Sequence, residues 1–130
     1  MAFVLSDEAT EATDKILDSF GQGAKAFSPS LWRWEVANVL LMAERRKRLT
    51  VADANRHLLL LQGLPVEIDD GASREAWSGS LALSRKHQIT VYDAAYLELA
   101  LRRNLPLGTL DGDLRKAAKA EGVKLLPDKL

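Results

Sequence analysis

Two acidic residues stand in apolar surroundings in the C-terminal third of the chain. Asp93 lies in the segment from Val91 to Leu101, whose many Ala, Leu, Val and Tyr residues predict a helix buried on most of its surface. Asp111 follows the short apolar run from Leu105 to Leu110, which predicts a strand. An ionised carboxylate away from water needs hydrogen bonds, a counter-charge or a metal ion. Both positions are therefore candidates for chemistry.

A third acid, Glu35, lies in a predicted long helix. One helical turn away it has Leu31 and Trp32 on one side and Asn38 and Val39 on the other, so its face is largely apolar. Three carboxylates that point inward suggest one shared pocket for a hard cation such as Mg²⁺ or Mn²⁺, because such ions take oxygen ligands and neutralise the repulsion. Metals held in this way commonly activate water against phosphodiesters, so the pattern indicates phosphodiester hydrolysis.

Structural roles compete with this interpretation. Thr90 to Asp93 matches a helix capping box, in which the acid only satisfies a backbone N–H, and Thr50 to Asp53 matches the same pattern with nothing nearby to suggest chemistry. Asp111 or Asp113 could be the N-cap of the last helix. Glu35 alone could be a half-exposed helix residue. The alternatives of cap and ligand stay open at this point.

Basic and aromatic residues are ambiguous in the same way. The run Arg45, Arg46, Lys47 and Arg48 could contact RNA, but basic residues are also favoured at a helix C-terminus by its dipole. The aromatic residues near the acids are predicted to pack rather than to stack on bases; these are Trp32, Trp34, Tyr92 and Tyr96. The leucines from Leu58 to Leu61 are predicted to be core.

Composition sets the remaining limits. A chain of 130 residues with 18 basic and 18 acidic side chains is one domain with no global attraction to nucleic acid or anionic lipid. It has no cysteine, which excludes thiol catalysis and cysteine-held zinc and fits a cytoplasmic location. The apolar start, residues 1–5, is too short for a signal peptide or a membrane span, so no membrane association is expected.

Helices alternate with short strands along the chain, which predicts an α/β fold with a parallel sheet and helices packed around it. The predicted helices cover residues 6–20, 31–48, 50–63, 73–87, 91–101 and 114–121, and the predicted strands cover 24–28, 65–68, 105–110 and 123–126, with a turn at 69–71.

Three sequence motifs resemble those of the PIN-domain family and, more narrowly, those of its VapC-type ribonuclease toxins of toxin–antitoxin pairs. They are PSLWRWEVAN (29–38), YDAAYLELA (92–100) and TLDGDL (109–114). The resemblance covers essentially the whole chain in the right order. It implies a three-layer α/β/α fold with a short, mostly parallel central sheet, RNA cleavage dependent on Mg²⁺ or Mn²⁺, a cognate antitoxin that blocks the site, and a homodimer.

By position, the resemblance assigns Glu35, Asp93 and Asp111 as catalytic and metal-binding acids. It assigns Asn38 and Thr109 as supporting polar groups, with Asp113 as a neighbour.

One departure from the family pattern concerns the N-terminus. The family opens with a hydrophobic strand that ends in an aspartate, and this chain resembles the family only from the following helix onward. We therefore expect an upstream start codon and, for residues 1–130, two exposed strand edges, weak metal binding and little nuclease activity. A PIN-like module that has lost catalysis and serves as a protein-binding partner is the alternative function, and an unrelated carboxylate-metal phosphatase is a third.

Overall fold

A computed structural model describes residue 23 and residues 25–128. The predicted helix at 6–20 and the apolar residues 1–5 lie outside this part of the chain. The elements, in order, are β1 (Ala26–Ser28), α1 (Leu31–Arg45), α2 (Val51–Gln62), β2 (Val66–Ile68), α3 (Gly71–Arg74), a π-helical turn (Ala76–Ser80), α4 (Leu81–His87), α5 (Val91–Arg103), β3 (Leu107–Gly108), α6 (Gly112–Ala120) and β4 (Leu125–Leu126). The alternation of helices and strands is as predicted.

The strands form two parallel pairs. β1 pairs with β2 with Ala26 opposite Val66, and β3 pairs with β4 with Leu107 opposite Leu125. Within the described residues no strand joins one pair to the other. A cavity of about 230 Å³ lies where the two pairs face each other, lined by residues of β1, of β3 and of α5. The fold is therefore α/β with short parallel sheets, as the sequence predicts.

Helix α5 is the centre of the core. Seven consecutive residues, from Ala94 to Ala100, are buried, so the helix is covered on nearly every side. α1 contributes Trp32, Val36 and Leu40, spaced by four residues along one face, and α6 contributes Leu114. Since α5 begins at Val91, its first turn carries Asp93 to the boundary between this core and solvent.

Two details of the predicted elements were wrong. The helix expected to start at Ser73 begins at Gly71, because the buried Asp69 accepts a hydrogen bond from the Ala72 N–H at 2.8 Å and so caps the first turn. The leucine run was predicted to be core; this is confirmed for Leu61, which is buried, and for Leu58, which is half-buried against the core, but Leu59 and Leu60 are exposed on α2. One face of that helix has no partner among the described residues.

An ion network with buried carboxylates and partly exposed arginines fixes the other end of α5. The Asp69 carboxylate follows β2 and accepts hydrogen bonds from Arg102 at 2.7 Å and from Arg103 at 2.5 Å, and Glu98 accepts one from Arg102 at 2.5 Å. The Arg102 hydrogen bond lowers the pKa of Asp69 well below its ordinary value despite burial. This acid is therefore committed to structure. In the described part of the chain, no helix is both long and apolar enough to cross a membrane.

Candidate metal centre

Asp93 lies in the first turn of α5, where Thr90 is the N-cap. The Asp93 N–H donates to Thr90 Oγ1 at 3.1 Å. A complete capping box exists at Thr50, where the Asp53 N–H donates to Thr50 Oγ1 and the Asp53 carboxylate accepts in turn from the Thr50 N–H. At Thr90 the second of these bonds is not made. The Asp93 carboxylate is therefore not engaged as a backbone cap.

Asp111 is the N-cap of α6. Its Oδ1 accepts from the Leu114 N–H at 2.8 Å, and its own N–H donates to Thr109 Oγ1 at 3.1 Å. Thr109 is buried, and its carbonyl also accepts from Arg115 at 2.8 Å. The loop after β3 thus holds Asp111 at the carboxyl end of the strand, as predicted. The second carboxylate oxygen of Asp111 makes no hydrogen bond to a described residue.

Glu35 reaches the site from α1. Its Oε1 accepts a hydrogen bond from the hydroxyl of the buried Tyr96, which lies on α5 one turn after Asp93. Burial and the adjacent Glu35 carboxylate raise the pKa of Tyr96 well above its ordinary value, so the phenol stays a donor. The stem of Glu35 remains exposed to solvent.

The acids repel one another. Partial loss of hydration, and then the charge of Asp93, raise the pKa of Glu35 against the opposing effect of the Tyr96 hydrogen bond. Partial burial and then the charge of Asp111 raise the pKa of Asp93 as well, against the opposing effect of the Thr90 side chain, and the charge of Asp113 adds a smaller increase. The charge of Asp93 thus acts on Glu35 of α1, and the charges at the start of α6 act on Asp93, although Glu35 and Asp93 are 58 residues apart in sequence.

The donor set suits a hard divalent cation. Carboxylate oxygens are the ligands that Mg²⁺ and Mn²⁺ prefer, and a cation would relieve the repulsion that raises the pKa values of Glu35 and Asp93. Among residues 23 and 25–128, no three acid or histidine side chains are placed closely enough to hold an ion as they stand. The carboxylates would have to turn toward a shared ion when it binds.

The other predicted residues lie around these acids. Asn38 is exposed on α1, one turn after Glu35, and Asp113 is exposed in the first turn of α6. The basic run is exposed where α1 ends and begins at Arg45, ten residues after Glu35. It consists of Arg45, Arg46, Lys47 and Arg48. A helix rises 1.5 Å per residue, so Arg45 is about 15 Å from Glu35 along the axis.

Sequence patterns did not reveal the role of Tyr96. Tyr96 was predicted to pack, and it is buried, but its hydroxyl also anchors Glu35. A signal was present, because residues three apart on a helix share a face and Tyr96 is three residues after Asp93. Packing was predicted for Trp34 and Tyr92 too, and there it was wrong, since both rings are exposed.

Comparison with known proteins identifies the family of this chain. The family described as the PIN domain matches residues 1–120. Ribonuclease VapC3 of Pyrobaculum aerophilum is 31% identical over 113 residues, which cover 87% of this chain and 84% of the relative. The family match spans most of the chain and includes every acid described above. This chain therefore belongs to the PIN-domain family.

Proposed function

We propose that this protein is a VapC-type endoribonuclease toxin that depends on Mg²⁺ or Mn²⁺. The observation that supports the proposal most is that partial burial, together with the charge of a neighbouring acid, raises the pKa values of Glu35 on α1 and of Asp93 on α5. A folded chain keeps such an arrangement at a cost in stability, and sites that bind cations commonly do so. The family and the name of the relative fit the same activity.

In this proposal Glu35, Asp93 and Asp111 hold the metal. When bound, the cation supplies Lewis-acid stabilisation of the developing charge on the phosphate and lowers the pKa of water. Tyr96 keeps the Glu35 carboxylate turned toward the site through its hydroxyl. Thr109 fixes the backbone of Asp111, so that the free oxygen of that residue faces the open side.

Asn38 and Asp113 complete the polar edge of the site. Asn38 offers an amide to a substrate phosphate or to Glu35 beside it, and Asp113 adds negative charge that favours cation binding. The exposed basic run at residues 45–48 contacts RNA phosphates away from the cleavage point. The chain has no net charge, so a local cluster of positive side chains is the part of it that attracts a polyanion.

The remaining parts of the proposal concern partners. A cognate antitoxin would neutralise the enzyme by covering the acidic site, and two copies of the chain would form a homodimer in the cytoplasm. The exposed leucines Leu59 and Leu60 on α2 are apolar surface of the kind that such contacts bury. Size-exclusion chromatography with light scattering would detect the homodimer, and co-purification with the product of the adjacent reading frame would detect the antitoxin.

One observation favours a second candidate function. Because no three acids in the described residues are closed around one point, the chain could be a PIN-like module that has lost catalysis and acts as a binding partner. The two functions differ in metal affinity. Acids that close around a cation are expected to bind Mn²⁺ saturably, whereas a binding module that has lost its metal site is expected to show no saturable Mn²⁺ binding.

The deciding experiment measures both metal binding and RNA cleavage by the purified chain. Calorimetric titration with Mn²⁺ is expected to show saturable binding that Asp111→Asn weakens at least tenfold, and Mn²⁺ is expected to support slow cleavage of RNA that the same variant abolishes. Asp70→Asn is the matched control, because Asp70 is an exposed aspartate that also starts a helix but lies outside the site. Saturation by neither Mn²⁺ nor Mg²⁺, with no cleavage, would contradict the enzyme and support the binding module.

A further inference from the structure

Two exposed aromatic side chains each directly precede one of the acids in the sequence. Trp34 immediately precedes Glu35 and is 78% exposed, and Tyr92 immediately precedes Asp93 and is 66% exposed. Large aromatic rings are usually buried because hydration of their faces is unfavourable. On α1, Asn38 is three residues after Glu35 and four after Trp34, so it shares a helix face with each of them. Flat apolar surface is therefore available to a ligand near the candidate site.

Tyr92 is on the substrate side of α5. It precedes Tyr96 by four residues, so the two rings share one face of the helix, with Tyr92 one turn nearer the N-terminus. Since the Tyr96 hydroxyl donates to Glu35, that face is the one turned toward α1 and the site. Tyr96 is buried on it, and Tyr92 continues it into solvent.

Trp34 begins an exposed stripe along α1. Spacings of four, seven and eleven residues place Asn38, Leu41 and Arg45 on the same side of the helix as Trp34, and all four are exposed. The stripe runs from the acids to the basic run at residues 45–48. Its length is about 16 Å, which matches roughly five stacked nucleotides at ~3.4 Å each.

We propose that Trp34 and Tyr92 are stacking platforms for unpaired RNA bases on the two sides of the scissile phosphate. The proposal rests on the ribonuclease function proposed above. Every nucleobase has a flat face, so aromatic stacking binds single strands with little sequence preference. A base in a duplex is already stacked and paired, so the platforms make the site select nucleotides that are free of a partner strand.

Charge favours RNA over a protein as the occupant of this surface. No member of the basic run at residues 45–48 forms an ion pair within the part of the chain that the structure describes. A stripe that alternates a ring and an apolar side chain with an amide and a free cation suits bases and phosphates together. A helix from a protein partner would instead be matched by a continuous apolar surface.

A binding measurement without metal tests the platforms separately from catalysis. The probe is a labelled 12-nucleotide single-stranded RNA in EDTA, and its affinity is measured by fluorescence anisotropy. Trp34→Ala and Tyr92→Ala are each expected to weaken binding by roughly 5- to 100-fold, the range for loss of one stacked base. Trp34→Phe and Tyr92→Phe are expected to remain within about threefold of the unmodified chain, since both keep a ring.

Trp77→Ala is the matched control. Trp77 is 93% exposed and lies in the π-helical turn, which packs against α5 beside Glu98. Glu98 and Tyr96 are two residues apart and point to opposite sides of the helix, so Trp77 is away from the acids. Its removal is expected to leave RNA affinity unchanged. A 12-base-pair RNA duplex is expected to bind equally weakly to all variants.

The outcomes separate this inference from the ribonuclease proposal. Equal RNA affinities for Trp34→Ala, Tyr92→Ala and Trp77→Ala would overturn the platforms, even if the chain cleaves RNA in Mn²⁺. A loss of self-association in Trp34→Ala with unchanged RNA affinity would assign the surface to a second copy of the chain and would also overturn them. Selective loss of RNA binding without any cleavage in Mn²⁺ would support the platforms and contradict the ribonuclease.

Discussion

Replacing Asp93 by asparagine separates a metal ligand from a helix cap. In the metal-free protein the Asp93 carboxylate is partly buried and is repelled by Asp111 and Asp113, and it repels Glu35. Three like-charge interactions of ~0.3 kcal/mol each cost about 1 kcal/mol. Loss of a negative charge near a helix N-terminus lowers the free energy of unfolding by about 0.5 kcal/mol, which offsets about half of the gain from relieved repulsion. Since partial burial of the charge adds to the relief, Asp93→Asn is expected to stabilise the metal-free protein.

The net gain of about 0.5–1 kcal/mol corresponds to a rise in Tm of about 2–4 °C for a domain of this size. Differential scanning fluorimetry in EDTA at pH 7 measures it. Mn²⁺ is then expected to raise the Tm of the unmodified chain and to leave the variant unchanged, because binding to the native state alone stabilises it.

The pH dependence gives a second check on the same variant. The folded-state pKa of Asp93 is raised from its ordinary value of 3.8, so the native state binds the proton more tightly than the unfolded state. Stability of the unmodified chain therefore falls as pH rises through the raised pKa. The advantage of Asp93→Asn is present at pH 7 and is expected to shrink as pH falls through the raised pKa of Asp93, because the protonated carboxyl carries no charge.

Asp53→Asn is the control, because Asp53 occupies the same position in the Thr50 capping box. Its carboxylate accepts from the Thr50 N–H and pairs with Arg56, so loss of the charge is expected to lower Tm by about 2–3 °C. If Asp93→Asn lowers the metal-free Tm as Asp53→Asn does, Asp93 is a structural cap and the reasoning from repulsion is refuted.

Three further predictions concern the neighbouring groups. Tyr96→Phe removes the hydroxyl that holds Glu35 and is expected to weaken Mn²⁺ binding several-fold in calorimetry. The Tm is expected to stay within about 4 °C of that of the unmodified chain, because the ring still packs. An unchanged Mn²⁺ affinity would contradict a positioning role for Tyr96. Asp69→Asn removes the carboxylate that Arg102 and Arg103 share and is expected to cost about 1.5–3 kcal/mol in urea unfolding at pH 7, because both arginines are partly exposed and regain hydration. A cost below 1 kcal/mol would show that the arginines find other partners. Because the pKa of Asp69 is lowered, its contribution is lost as pH falls below the ordinary value of 3.8. Replacing both Arg46 and Lys47 by glutamine is expected to lower the affinity for all RNA sequences alike. The magnitude of the slope of the logarithm of the RNA association constant against the logarithm of the salt concentration is expected to fall by about 2. An unchanged slope would exclude phosphate contacts at these two residues.

Local patterns in the sequence were sufficient for most elements of the fold. The apolar spacing of α1 and the near-continuous apolar stretch of α5 are determined by residues close together along the chain, so both helices were predicted from the right starting residues. The fold class followed from the alternation of helices and strands. The start of α3 could not be predicted from local patterns, because Asp69 caps it and is itself held by arginines that are more than 30 residues away in sequence.

The sequence by itself determined which side chains have the chemistry for a cation site: oxygen donors Glu35, Asp93 and Asp111, each in apolar surroundings. Only the tertiary structure decided that Asp93 is not a reciprocal cap, that Tyr96 holds Glu35, and that the rings of Trp34 and Tyr92 face solvent. The physical reason is that hydrogen bonding, repulsion and exposure depend on distances between elements. Spacing along one helix gives the face that a residue occupies, but the element that covers that face is set by the packing of the whole chain.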